Sequence, residues 1–410
     1  MKNVPDIRFK GFDEEWRLMH ISDFLQVNKT MNTDNIYGRE DVLSVSDECG
    51  IVNQIKFLGR SYAGKSVLKY KVVHPHQIVY TKSPLKDKPY GIVKQSGISG
   101  IVSSLYAVYD VMDSCIPSYI QWYYEPYYRI NSYLRPLVNK GAKNTINISD
   151  VNAISGRIFF PNIDEQQLIT NYLILISDYI RETSKKVKSL RQLKSASLIS
   201  MFPQQGETVP RVRFKGFDGE WKKVKMSDCL EISKEVNSES LYNKDDVLSV
   251  SDEMGVMNQI KLLGRSYAGK SVIKYKILKP HQIVYTKSPL KDKPYGIIKE
   301  NCGETGIVSV LYAVYNTKEN VVPTYIHYYF EPKFRINKYL YPLVNKGAKN
   351  TMNISDDTTL EGFVYIPSSV AEQHQIASYL RQLDIQISEQ EKRLEKLKQI
   401  KAACLDKLFV

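Results

Sequence analysis

One half of this chain is written twice. VPDIRFKGFDEEW at residues 4–16 returns as VPRVRFKGFDGEW at 209–221, and the same shift of 205 aligns 45 of the 54 positions in residues 41–94 identically. Single-residue insertions move the shift to 206 for LYAVY (105–109, 311–315) and NKGAKNT (139–145, 345–351), then to 207 through the C-terminal segments. A period this long means two domains rather than a stack of small repeats. The copies also form an internal control, because anything both modules need must occur in both. None of the five cysteines stands opposite another: Cys49 faces Met254 and Cys404 faces Ser197. With no CxxC spacing, free thiols are expected rather than a disulfide framework or a zinc site. Among the six histidines only His76 and His281 correspond, and a lone His beside a strand reads as structural.

Each module opens on a Pro-containing lead-in and a Trp (Trp16, Trp221). It then runs through β-branched and aromatic segments such as SVLKYKVV and QIVYTKS, whose alternation predicts strands. A helix is expected from Pro117 and from Pro323 to PLVNKGAKN, where Gly141 and Gly347 supply a stop. Beyond Pro161 and Pro367 the period changes to a heptad. Leu173, Ile176, Ile180, Val187, Leu190 and Met201 take its a and d positions in the first segment; Leu380, Leu383, Ile387, Leu394, Leu397, Cys404 and Leu408 do so in the second. Thr183, Lys194, Gln390 and Lys401 interrupt the two seams at matching places, a pattern that can fix register. Residues 164–202 hold neither Gly nor Pro, and at 1.5 Å per residue such a helix spans about 58 Å. The fold class expected is α+β, with two similar modules joined and separated by two long antiparallel coiled-coil helices in pseudo-two-fold arrangement. The boundaries are 1–160 for the first module, 161–205 for the central helix, 206–366 for the second module and 367–410 for the C-terminal helix.

The formal net charge is +13, and its distribution says more than its total. Residues 52–148 hold 13 Lys/Arg against 4 Asp/Glu, and residues 257–354 hold 16 against 5. Charge gathered in two blocks suits a polyanion, here double-stranded DNA, since each neutralised phosphate releases counterions. GRSYAGKS (59–66, 264–271) satisfies the phosphate-loop pattern, but strand-like VLKYKVV and VIKYKIL follow it where a helix must begin. Arg60, Lys65, Arg265 and Lys270 therefore read as phosphate contacts or as a solvated turn, and nucleotide hydrolysis is disfavoured. YTKSPLKDKPYG (80–91, 285–296) interleaves cations with aromatics and offers Lys82, Lys86, Lys88 and Tyr90, with Lys287, Lys291, Lys293 and Tyr295. NKGAKN adds Lys140, Lys143 and Asn144, with Lys346, Lys349 and Asn350, residue types that pair with guanine and adenine edges. QWYYEPYYRI (121–130) is expected to pack the core. No catalytic constellation, metal-ligand cluster or cofactor fingerprint recurs in both modules. There is neither a signal-like apolar N-terminus nor a long apolar span, so a cytoplasmic protein without a membrane partner is expected.

Longer stretches carry a resemblance. The lead-in PDIRFKGFDEEW, the helix starts PNIDEQQ (161–167) and PSSVAEQHQ (367–375), and the helix endings LKSASLISMFP (193–203) and IKAACLDKLF (400–409) together resemble type I restriction-modification specificity subunits over essentially the whole chain. The resemblance implies two target recognition domains, each reading one half of a bipartite DNA site, with the helix pair as spacer. It implies two modification subunits that use S-adenosylmethionine to methylate adenine at N6, and motor-nuclease restriction subunits that use ATP and Mg. Cofactors and catalysis then belong to the partners, and this chain is a non-catalytic part of a phage-defence complex. The familiar arrangement has two unlike recognition domains. Near-identical modules instead imply a palindromic or nearly palindromic interrupted target. Three rivals stand beside this reading: the same subunit serving a methyltransferase that has no restriction partner, a phosphate-loop NTPase, and a purely structural coiled-coil scaffold.

Overall fold

The computed structural model describes residues 3–85, 87–140, 146–287, 289–346 and 352–410. The chain forms two compact units, Met1–Ser184 with Lys392–Val410, and Lys185–Glu391. Each unit thus takes one module and a part of each long helix.

In unit 1 the chain runs through β1 (Arg17–His20), β2 (Leu25–Asn28), β3 (Leu43–Ser46), β4 (Gly50–Asn53), α1 (Gln54–Leu58), β5 (Lys71–Val73), β6 (Ile78–Thr81), β7 (Ile92–Gln95), β8 (Gly100–Val102) and β9 (Tyr106–Val111). It continues with α2 (Pro117–Tyr124), α3 (Tyr127–Leu134), β10 (Asn139–Lys140), β11 (Ile146–Asn147), β12 (Arg157–Phe160) and α4 (Ile163–Ser200). The central sheet is antiparallel in the order β2-β9-β6-β7, with two-stranded pairs β1-β12, β3-β4, β5-β8 and β10-β11 around it. All four side chains of β6 are buried, which is why IVYT carries no charge and does not alternate between apolar and solvated residues.

Unit 2 repeats this order in β13 (Lys222–Lys225), β14 (Leu230–Ile232), β15 (Leu248–Ser251), β16 (Gly255–Asn258), α5 (Gln259–Leu263), β17 (Lys276–Leu278), β18 (Ile283–Thr286), β19 (Ile297–Glu300), β20 (Gly306–Val308) and β21 (Tyr312–Thr317). It then adds α6 (Pro323–Phe330), α7 (Lys333–Leu340), β22 (Asn345–Lys346), β23 (Met352–Asn353), β24 (Phe363–Ile366) and α8 (Val370–Lys407). Its central sheet is β14-β21-β18-β19.

The tyrosine content has a structural explanation. Tyr80, Tyr109, Tyr119 and their copies Tyr285, Tyr315 and Tyr325 are among the largest fully buried side chains. Tyr80 and Tyr109 use the hydroxyl to tie a loop to the core, donating to the Tyr90 carbonyl at 2.7 Å and to that of Asp150 at 2.9 Å, and half-buried Tyr133 does the same to that of Ala153 at 3.1 Å. A buried ring with one satisfied polar tip contributes area and direction together. In QWYYEPYYRI the structure divides the cluster. Trp122, Tyr123 and Tyr124 are buried, as expected, but Tyr127 and Tyr128 are 60% and 42% exposed.

Two expectations about local structure are corrected. The helix from Pro117 is two helices, because Pro126 lacks an N–H and stands as the N-cap of α3 after α2 has ended; Pro332 does the same in unit 2. Both second helices end at Leu134 and Leu340, well before the glycines proposed as stops, and Gly141 and Gly347 lie outside the described residues. In SVLKYKVV only Lys71–Val73 is strand, since the preceding residues close a turn in which the Tyr70 N–H donates to the Val67 carbonyl at 3.0 Å.

Both long helices are 38 residues. Leu173, Ile176, Val187, Leu380 and Leu383 are buried, and Ile180, Leu190, Ile387, Leu394 and Leu397 are half-buried. Within unit 2 the helices run antiparallel: Arg191 pairs with Glu391, Lys194 with Asp384 at 2.6 Å, and Ser197 Oγ meets the Tyr379 hydroxyl at 3.5 Å. Within unit 1, Ile169 and Leu173 from the start of α4 share a core with Leu405 in the last turn of α8 and Leu408 just after it. Two of the four polar breaks in the seam reach the modules. Lys194 also bonds Glu331 at 2.6 Å, and Lys401 lies 4.5 Å over the Trp122 ring. The Glu-Gln at each helix start is a bolt. Buried Glu165 accepts from Arg8 at 2.8 and 2.9 Å and from Trp16 Nε1 at 3.1 Å, while Gln166 Oε1 accepts the Ile116 N–H at 3.0 Å. Glu372 holds Arg213 and Gln373 holds the Val322 N–H in the same way.

Candidate nucleic-acid interface

The loop after α1 is irregular but fixed. Asn53 caps α1, whose C-terminus turns on Gly59 at φ +77°. Gln54, one residue inside the helix, accepts the Tyr62 N–H at 2.6 Å and donates to Ser44 Oγ at 3.1 Å. Ser61 Oγ donates to the Arg39 carbonyl at 3.3 Å. The second module repeats the Gln and Ser bonds through Gln259 and Ser266. On this frame Arg60 stacks 4.6 Å over Tyr62, and Arg265 stacks 4.5 Å over Tyr267. The two tyrosines are 59% and 58% exposed. Lys65 and Lys270 are exposed on the same loops. The loop follows a short helix and leads to a strand, β5 or β17, with no helix between, so the nucleotide-binding geometry its sequence suggested is not formed. What it presents in both modules is a cation held on an aromatic face, a pairing that suits phosphate and base alike.

The YTKSPLKDKPYG cations are placed differently. Lys82 Nζ bonds Asp150 at 2.7 Å, and Lys71 bonds the other oxygen of that carboxylate at 2.5 Å. Burial pushes the Asp150 carboxyl up, but the two ammonium groups more than reverse this and hold it below its ordinary value. Lys88 is 6% exposed, with Nζ on Asp47 at 2.7 Å and on the Glu125 carbonyl at 2.8 Å. Lys287 and Lys293 repeat these roles on Asp356 and Asp252. These four amines hold the loop to its module from inside, and they do not stand on the open surface. Lys291 is exposed; Lys86 lies outside the described residues. Gly91 closes the loop at φ +94°, where a Cβ would sit 1.9 Å from the Thr81 carbonyl oxygen, so no other residue fits there. Tyr90 and Tyr295 are half-buried.

Lys140 and Lys346 lie on β10 and β22, first strands of two short hairpins. Lys143, Asn144, Lys349 and Asn350, at the centres of those segments, lie outside the described residues. Beside each hairpin an Asn side chain ties α3 or α7 to the basic loop. Asn131 Nδ2 donates to the Asp87 carbonyl at 3.1 Å, and Asn337 Nδ2 to that of Asp292 at 3.0 Å. Tyr90, Asn131, Ser132, Arg135 and Val138 line an open cleft there in unit 1.

Reading the sequence for recurrent cations missed Tyr62 and Tyr267, although an aromatic two residues after an arginine in a twice-used loop was a visible signal. It also missed Arg135, because that position differs between the copies. Among the described residues no group of His, Cys, Asp or Glu is placed to hold a metal, all five cysteines are free, and no helix is long and apolar enough to cross a membrane.

These features define an α+β protein of two like modules, each presenting basic loops and each packed on long helices. No protein-family model and no curated sequence matches the chain. Among solved structures, it matches the S subunit of a type I restriction-modification system from M. genitalium with a TM-score of 0.58 and 12% identity, over 99% of both chains. The chain therefore has the fold of a type I specificity subunit from end to end. Weaker likenesses are to the HsdS subunit from Thermoanaerobacter tengcongensis (TM-score 0.43, 14% identity, 100% and 99% of the two chains) and to a chain of a type I R-M system (0.45, 15%, 96% and 97%).

Proposed function

We propose that this chain is the DNA-sequence-specificity subunit of a type I restriction-modification complex. Its modules read the two halves of an interrupted, nearly palindromic duplex site, with the helices as spacer. Two modification subunits methylate adenine at N6 with S-adenosylmethionine, and restriction subunits cleave unmodified DNA with ATP and Mg. The chain itself contributes no catalytic group. The observation that carries this is the rigid loop presenting Arg60 on Tyr62 and, again, Arg265 on Tyr267. Such a loop has no folding role that needs an exposed aromatic, and it is duplicated on a fold shared with an S subunit.

The test uses the chain assembled with its modification subunits and titrated with duplex DNA at several salt concentrations. Arg60→Ala with Arg265→Ala should weaken binding and reduce the slope of log affinity against log salt by roughly 1.8, the value for two lost phosphate contacts. An unchanged affinity and slope would remove these loops from the interface. Lys65→Ala with Lys270→Ala should leave ATP turnover of the complex unchanged; its abolition would restore the nucleotide-binding alternative.

A further inference from the structure

The modules carry the same basic-loop sequences, and in the cleft beside those loops two lining positions differ between the copies: Ser132 answers to Lys338, and Arg135 to Tyr341. Arg135 and Tyr341 occupy the same place, directly after α3 and α7. Both donate their backbone N–H to the carbonyl of the equivalent asparagine, Asn131 or Asn337, at 2.9 Å, and their backbone angles agree within a few degrees, −49°, −47° against −48°, −49°. Only the side chain differs. Arg135 is exposed, and among the described residues its guanidinium has neither an ion pair nor a hydrogen bond. It lines the cleft between Tyr90, at the end of the basic loop, and Val138, at the start of the β10 hairpin. In unit 2 the Tyr341 ring, 69% exposed, stands edge-on to Tyr295 at 5.9 Å and 73°. An aromatic ring with a single hydroxyl therefore stands where the first module has an exposed guanidinium.

The chemistry of the two is not interchangeable. A guanidinium presents a rigid fork of donors that matches the O6 and N7 acceptors of guanine. A tyrosine cannot make that bidentate pair. Resting on the DNA-reading function proposed above, we infer that Arg135 and Tyr341 are specificity-determining residues that break the palindrome. The first module's half-site carries a guanine at the base pair facing the end of α3, and the second module's half-site lacks it at the equivalent position.

The experiment is selection from a duplex library with both half-sites randomised, using the complete complex with its modification subunits. The wild type should enrich a motif whose arms are inverted copies except where they face this cleft, with guanine opposite Arg135 and not opposite Tyr341. Arg135→Tyr should make the arms alike at that position, and Tyr341→Arg should place guanine in both. Arg135→Lys should keep affinity while lowering the guanine preference by about tenfold, since lysine lacks the planar fork. An unchanged motif in Arg135→Tyr would overturn the inference. So would a uniform loss of affinity with a smaller salt slope, which marks a phosphate contact; either result leaves the proposed function standing. Failure of the wild type to enrich any motif would instead reject the DNA-reading function and this inference with it.

Discussion

Replacing Asp150 with alanine should loosen unit 1 where its basic elements are anchored. The carboxylate takes Lys71 and Lys82, at 2.5 and 2.7 Å, and the three side chains are 21%, 12% and 16% exposed. A hydrogen bond to a charged group contributes about 1.5–3 kcal/mol. Because water reaches part of the site and both lysines can turn outward, the two bonds together are discounted to about 3 kcal/mol. For a unit of this size that corresponds to a fall in melting temperature of about 6–12 °C. Tryptophan fluorescence can follow unit 1 alone in a Trp221→Phe background, because the remaining two, Trp16 and Trp122, both belong to it. The folded carboxyl is held below its unfolded value, so its stabilisation is present at neutral pH and disappears as pH falls from about 4 through the folded value. Asp150→Ala should therefore differ most from wild type at pH 7 and converge with it in acid. A midpoint within 1 °C of wild type at pH 7, or a difference that grows in acid, would refute the reasoning. Asp356 holds Lys276 and Lys287 in unit 2 and should behave alike.

Two further outcomes follow from packing. Glu165→Ala should destabilise unit 1 by about 3–5 kcal/mol in urea, the cost of stranding a partner of a buried pair. Glu372→Ala should cost about 1 kcal/mol less, since Trp221 Nε1, unlike Trp16 Nε1, makes no hydrogen bond among the described residues. Phe409, 4% exposed, packs on Tyr119 and Tyr123. Phe409→Ala should therefore lower the stability of unit 1 by about 3–5 kcal/mol, read by the same fluorescence assay, although it lies at the far end of the sequence.

The repeat and the heptads were legible because both are local patterns: equal residues recur at a fixed shift, and Leu380, Leu383 and their counterparts recur at helical spacing. Roles set by distant partners were not. Lys82 and Lys88 look like surface cations until Asp150 and Asp47 are seen beside them. Lys194 and Lys401 look like register devices until Glu331 and Trp122 are seen to receive them. The acids were themselves duplicated, so a search for paired recurrences of opposite charge would have raised the question. Pro126 and Pro332 carry, in the sequence itself, the break that splits each expected helix in two. Arg135 stayed hidden for the opposite reason, because recurrence was the filter and this position informs by its difference.

The central claim is that one recognition module used twice reads the two arms of a symmetric site. Genome-wide mapping of methylated adenines, in cells carrying this chain with its modification subunits, tests it most directly. The expected result is an interrupted motif whose arms are inverted copies, save where they face the cleft that holds Arg135 in one module and Tyr341 in the other. Two unrelated arms, or a methylation pattern that persists when this chain is removed, would contradict it.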